Sequence, residues 1–389
     1  MPKLCRKSTA LGRQPERRAS ARGLGGGGGE TKWGGWRGVR WGLHSVKVNL
    51  SPRRPRNTSR NPPLLVTVGG YRRVLWIFNL AVAMTTNLSP RDLASVIGVS
   101  ESSLKRWVDD GRLVAQRTSG GHRRIAMHDA VRFLRRSPVD LSQPEMLGLG
   151  DLTSQAVATV VSGAADVALL QAIRRGDAAA VRGIVLAEFL LSRSLGPVCD
   201  GPIAYAMNRL SEELRASGDG KAVGLRADQI VCEAVGLVRG LIGPSRAEVL
   251  RAVVISIGAE GAVPGQLAAA VLCETGYRVS EMTEAHARTA GANLGAEAPP
   301  ELVCVVIGSQ IATEELAGFE LQNLAARGVR VTICGRDAAA AASGYQSSKV
   351  VSVDSMCELQ AIARASIAER DAAVKRPDPG VRGRAVRAG

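Results

Sequence analysis

A short stretch of this chain gathers side chains suited to gripping a polyanion. Ser102, Lys105 and Arg106 stand at helical spacing beside Glu101, and Arg117, Thr118, His122, Arg123 and Arg124 then cluster around the pair Gly120-Gly121. A guanidinium can give two N–H groups at once to a guanine edge or a phosphate, an ammonium holds phosphate as a point charge, and hydroxyls hydrogen-bond either. Charge alone would equally describe a solvated basic face, so the case rests on spacing. His122 has no Cys, His or acidic residue at ligand spacing, which makes it a turn or phosphate-side residue and leaves no metal site expected. No His/Asp/Ser grouping, paired acids or phosphate-cradling glycine loop is readable elsewhere, so enzymatic activity is not expected.

The elements that must position these groups are punctuated clearly. Ser89 suits a helix N-cap, Pro90 the first helical position, and Asp92 the acid of a capping box. Leu93, Val96 and Ile97 share one face before Gly98 breaks the helix, and Ser100 caps a second helix with Leu104, Trp107 and Val108 inward. Gly111 ends that helix. Residues 112–117 alternate like a strand, and Gly120 and Gly121 supply positive backbone dihedrals for a tight turn into Arg123-Arg124-Ile125. A third helix over roughly 129–136 closes the small core with Val131, Phe133 and Leu134.

The recognition-helix text KRWVDDGRL and the wing text RTSGGHRR closely resemble the winged helix-turn-helix of the MerR and excisionase family. The resemblance covers residues 87–137. It implies a sequence-specific transcriptional regulator, a double-stranded DNA operator as partner, and a homo-oligomer reading paired half-sites. A DNA-bending accessory protein is the milder alternative.

After a linker at 138–150 with two prolines, residues 151–245 carry helical periodicity with few strand signals, and a bundle of about four helices is expected over 167–175, 178–193, 200–217 and 226–241. The segments GD at 176–177 and LGPVCDGPI at 195–203 resemble the helical cap that precedes the cobalamin-binding domain in methionine-synthase-like proteins and in light-responsive regulators of the MerR family. That cap presents a Trp and a Glu-His pair over the corrin. Leu214 and Asp228-Gln229 stand near those positions here.

From 246 to 370 strand-like and helical runs alternate, which predicts a doubly wound parallel sheet of about five strands with its ligand edge at the strand carboxyl ends. Cap and sheet together resemble the cobalamin-binding unit, recognised by an acid-x-His-x-x-Gly loop, an S-x-L and a Gly-Gly. Glu260 and Gly265 keep the ends of the first motif, Ser309 begins the second, and Gly335 keeps one glycine of the third. Ala262 stands where the cobalt-ligating His belongs, and a methyl group cannot coordinate cobalt. These residues form a degenerate cofactor site in which no cofactor is expected, with His-independent cobalamin binding as the alternative. His286, after the second strand, is a weak substitute ligand. An unidentified small ligand or partner protein could replace the corrinoid. A corrinoid methyltransferase component is the competing function, opposed by the DNA-reading segment and Ala262.

Of the formal charge of +16, +15 resides in the first 83 residues, which hold 17 Lys/Arg against Glu16 and Glu30. With a five-glycine run and four of the chain's five Trp, residues 1–86 and the tail 371–389 are expected to be disordered. Met84 is expected to be the natural start, with a basic DNA-binding arm and a targeting segment as the alternatives for the first stretch. No apolar run reaches the ~20 residues that span a bilayer, and the seven cysteines stand singly, which suggests a cytoplasmic protein; the MerR resemblance implies a bacterial, nucleoid-associated one. Patterned sequence starts at about Met84. A chain beginning there should fold and bind its operator like the full chain, as circular dichroism and binding at physiological salt would test. Loss of specific binding would establish the basic-arm reading instead.

Overall fold

The computed structural model of the protein describes residues 87–137, 139–217, 220–243, 250–258, 262–290, 299–308, 316, 319–335 and 337–375. The basic segment at 1–86 and most of the expected tail lie outside these residues. Helix α1 (Pro90–Ile97) starts under a capping box. The Asp92 N–H donates to Ser89 Oγ at 3.1 Å, and the Ser89 N–H donates to the Asp92 carboxylate at 3.1 Å. Gly98 stops the helix at φ 69°, a left-handed conformation that glycine adopts without strain. Helix α2 (Glu101–Asp109) begins at Ser100, whose Oγ accepts from the Ser103 N–H at 3.1 Å. Strands β1 (Asn87–Leu88), β2 (Gln116–Arg117) and β3 (Arg123–Ala126) pair antiparallel in the order β1-β3-β2, and helix α3 (Met127–Arg136) follows directly.

Two local expectations need correction. Only Gln116 and Arg117 form the strand expected over 112–117, because the N–H groups of Arg112 and Leu113 still donate to the Trp107 carbonyl and wrap the end of α2. Of the two turn glycines only Gly121 has a positive φ, 78°. The turn closes with Gly121 N–H to Thr118 carbonyl and Thr118 N–H to His122 carbonyl, both 2.9 Å, and needs one left-handed residue. Leu93, Leu104, Ile125 and Met127 are fully buried beneath these elements, and the Trp107 and Phe133 rings lie 5.4 Å apart.

The segment expected as a linker is packed. Its Ser142 and Gln143 N–H groups donate to the Val96 carbonyl at 2.7 and 3.2 Å, and a 3-10 turn at Pro144–Leu147 buries Leu147. The helical middle has more pieces than the four expected: α4 (Ser154–Val161), α5 (Ala165–Arg175), α6 (Ala178–Leu191), the short α7 (Leu195–Val198), a π turn (Cys199–Ile203), α8 (Ala204–Ser217) and α9 (Lys221–Ile242). Helix α4 escapes a sequence reading because SQAVATVV is rich in β-branched residues. Gly201-Pro202 delay the third expected helix until Ala204. Helix α6 is central, with Val181, Leu186, Ala187 and Phe189 fully buried.

The last part alternates β4 (Arg251–Ile257), α10 (Ala262–Thr275), β5 (Arg278–Thr283), α11 (Glu284–Ala290), β6 (Leu302–Ile307), α12 (Leu321–Ala326), β7 (Arg330–Cys334), α13 (Ala338–Ser343), β8 (Val350–Val353) and α14 (Met356–Lys375). The five strands are all parallel in the order β5-β4-β6-β7-β8, as a doubly wound sheet requires. Strand β6 is buried along its whole length. Val254, Cys304 and Val306 face the α10 side and join a core continuous with α6 and residues 87–137, while Ile255, Val303 and Val305 face Phe319 and Leu324 on the other side. Helix α14 runs past 370 to Lys375, shortening the expected tail. Among the described residues no helix is long and apolar enough to cross a membrane. Phe189→Ala, which empties a fully buried site shared by several elements, should destabilise the chain by about 3–5 kcal/mol in urea denaturation.

Candidate nucleic-acid interface and sheet edge

The turn after α1 aims the outer face of α2 toward the β2–β3 ribbon. Between them and the start of α1 lies a cleft of about 480 Å³ whose walls include Arg91, Lys105, Arg117, Arg123 and Arg124, with Glu101 the acid among them. Ser102, Lys105, Arg106, Arg117, Thr118, His122 and Arg124 are all exposed, so their donors face solvent. Lys105 Nζ meets Glu101 Oε1 at 2.8 Å, an exposed i,i+4 pair that contributes roughly 0.3–0.5 kcal/mol. The His122 N–H donates to Thr118 Oγ1 at 3.2 Å, fixing the turn that carries both side chains.

Arg123 differs from its neighbours. Half-buried, it pairs with Asp109 at the end of α2 and so braces the ribbon against the helix. Arg91 went unnoticed in the sequence, yet it lines the cleft from the first turn of α1. One signal could have found it, because a cation near a helix N-terminus opposes the macrodipole.

At the carboxyl edge of the parallel sheet, Glu260 and Ser309 lie outside the described residues. Ala262 opens α10 with its methyl exposed. Gly265 and Gly335 have packing reasons of their own. A Cβ on Gly265 would come within 2.1 Å of Ser256 Oγ, and one on Gly335, whose φ is 135°, within 2.4 Å of the Ile307 carbonyl oxygen. Of the chain's four histidines, His286 alone belongs to the α/β part; it is exposed and its Nδ1 shares a 2.8 Å hydrogen bond with Thr283 Oγ1. Leu214 sits half-buried against Gly220 and Gly224, and Gln229 donates to Glu233 at 3.0 Å. An alanine methyl cannot form a cobalt–protein bond, and His286 holds its imidazole through Nδ1 to Thr283.

Four of the described thiols are poor nucleophiles. Burial pushes Cys232 up to about 12 and Cys357 up to about 11, and raises Cys199 and Cys273, so these four stay protonated near neutrality. No group of three or more His, Cys, Asp or Glu arranged to hold a metal occurs among the described residues.

No family model and no curated relative matches the chain. Among solved structures it is similar to the monomethylamine corrinoid protein of Methanosarcina barkeri, at 11% identity and a TM-score of 0.39 over 51% of this chain and 95% of that one. It is also similar to the methanol:cobalamin methyltransferase complex MtaBC of the same organism, at 13% identity and a TM-score of 0.26 over 58% and 85%. A cobalamin-binding protein from Desulfitobacterium hafniense DCB-2 aligns at 13% identity and a TM-score of 0.26 over 51% and 97%.

Proposed function

We propose that the chain is a sequence-specific DNA-binding regulator of the MerR type, acting as a homo-oligomer. Residues 87–137 serve as its winged helix-turn-helix, and the bundle and sheet serve as a regulatory module. The observation that carries this reading is the cleft at the junction of α2 and the β2–β3 turn. Five cations converge there on one side of a small, capped and fully cored unit. In this reading α2 enters the major groove with Ser102, Lys105 and Arg106 toward base edges. Arg91, Arg117, Thr118 and Arg124 hold the flanking phosphates, and His122 shapes the turn between them. The regulatory module is of cobalamin-sensor type with its cobalt-ligating histidine replaced by Ala262, so that another small ligand or a partner protein supplies the signal. A corrinoid methyltransferase component is the second reading; against it stands Ala262, at the position where the resemblance puts the cobalt ligand.

Two measurements test these statements. Lys105→Ala and Arg106→Ala should weaken binding most at the preferred duplex, by about 1–3 kcal/mol each, whereas Arg117→Ala and Arg124→Ala should weaken binding to all duplexes and flatten the salt slope by about one unit each. Unchanged footprints in all four variants would remove the DNA assignment. In equilibrium dialysis in the dark, the full chain should retain neither adenosylcobalamin nor methylcobalamin. Stoichiometric retention at micromolar cobalamin would restore the cofactor.

A further inference from the structure

One buried ion pair spans the three parts of the chain. Arg135, in the last turn of α3, sends its guanidinium away from the DNA-facing side: it pairs with Glu274, its Nε donates to the Ser192 carbonyl at 3.0 Å, and its plane stands 4.1 Å from the centre of the Phe189 ring. Both charged side chains are about nine-tenths covered, at 11% and 10% exposure. Glu274 also accepts the Leu195 N–H at 2.8 Å and a hydrogen bond from Gln360 on α14.

Glu274 is the penultimate residue of α10, and the same helix opens with Ala262 at the carboxyl edge of the sheet. An uninterrupted helix of 14 residues is about 20 Å of stiff rod. One end lies at the candidate ligand edge and the other holds the last helix of the DNA-facing unit. Near the first end the rod lies against β4: a Cβ on Gly265 would meet Ser256 Oγ at 2.1 Å, so that either the serine hydroxyl turns aside or the helix start moves. A ligand that tilts the start of α10 therefore moves Glu274, and Glu274 cannot move without dragging Arg135 or breaking a desolvated ion pair.

We infer that α10, acting through Glu274 and Arg135, couples the carboxyl edge of the sheet to the pose of the DNA-binding unit and so regulates its affinity. The inference rests on the DNA-binding reading above and names the regulation of that same surface. Arg135 and Glu274 are positioning residues; neither is assigned a contact with DNA.

The test is a thermodynamic cycle on the full chain, with a duplex that the chain itself selects from a random-sequence pool. Gly265→Ala drives a methyl against Ser256, and the cycle is run with whichever of Gly265→Ala and Ser256→Val hydrogen exchange shows to displace the start of α10, since the Ser256 hydroxyl can turn aside from a single methyl. That variant should shift the dissociation constant at least about fivefold, the lower end of typical site-to-site coupling. Adding Ser256→Ala, which makes room for the methyl, should bring the constant back within about twofold. In a chain carrying Arg135→Met with Glu274→Gln, which leaves no unpaired buried charge, Gly265→Ala should shift the constant less than about twofold. Ser256→Val crowds the same contact from the strand and must follow the same pattern if Gly265→Ala folds poorly.

Equal shifts with and without the ion pair, or no shift with it intact, would overturn the inference. Hydrogen exchange at the Met127–Arg136 amides, measured without DNA on the same proteins, should quicken with the rim variant only while the pair is intact. That arm separates the two failures. If no duplex is selected and Arg117→Ala changes nothing, the DNA reading has failed, while the exchange pattern still decides whether the two parts are mechanically linked.

Discussion

Removing two charges from water is costly, and among the described residues Arg135 and Glu274 bear that cost where α3, the bundle and α10 meet. Burial pulls the Arg135 guanidinium below its ordinary pKa, while the Glu274 carboxylate beside it pulls the other way. Such a pair holds only when the remaining valences are satisfied. Here Ser192 accepts from Arg135 Nε, Leu195 and Gln360 donate to Glu274 Oε2, and Phe189 supplies a ring face, while Arg135 Nη2 and Glu274 Oε1 have only their ionic contact and make no hydrogen bond among the described residues. Leaving either charge without its partner would cost about 3–5 kcal/mol, a large share of a domain's net stability. The apolar core is continuous across the three parts, and this contact adds a directional constraint to it.

The same logic recurs at smaller scale. Asp200, in the π turn, accepts the N–H groups of Met356 and Cys357 at 2.8 Å each and fastens the start of α14 to the bundle. Arg239 on α9 pairs with Glu281 on the edge strand β5. These bonds are directional, whereas apolar burial is not, so they fix which face of α10 and α14 meets the bundle. At the unit built from α1, α2 and α3 the balance reverses. Lys105, Arg106, Arg117 and Arg124 are exposed, and under the function proposed above their worth would lie in attraction to a polyanion and release of its counterions.

The glycines at the sheet edge carry a lesson about motifs. Gly265 and Gly335 match positions at which a cobalamin-binding loop has glycine, but packing alone accounts for Gly335, whose positive φ and approach to the Ile307 carbonyl leave no room for a side chain, while Gly265 faces only the tip of Ser256. A glycine that the backbone requires is therefore no evidence for a ligand. Ala262 is exposed at the start of α10.

Local chemistry made much of this protein legible from its sequence. Ser89, Asp92, Gly98 and Ser100 fix the first two helices through bonds reaching only three or four residues, and the apolar strands of the sheet announce their burial by composition alone. The exposed cations of the α2 and wing region were readable for the same reason, since helical spacing dictates which side chains face outward. What the sequence could not supply were contacts between distant residues. The pairing of Arg123 with Asp109, the place of Arg91 in the cleft, the packing of residues 142–149 onto α1 and the meeting of Arg135 with Glu274 all depend on where whole elements come to rest. An exposed arginine and a half-buried one look alike in a sequence, because burial is decided by the neighbour that arrives and no local rule names that neighbour.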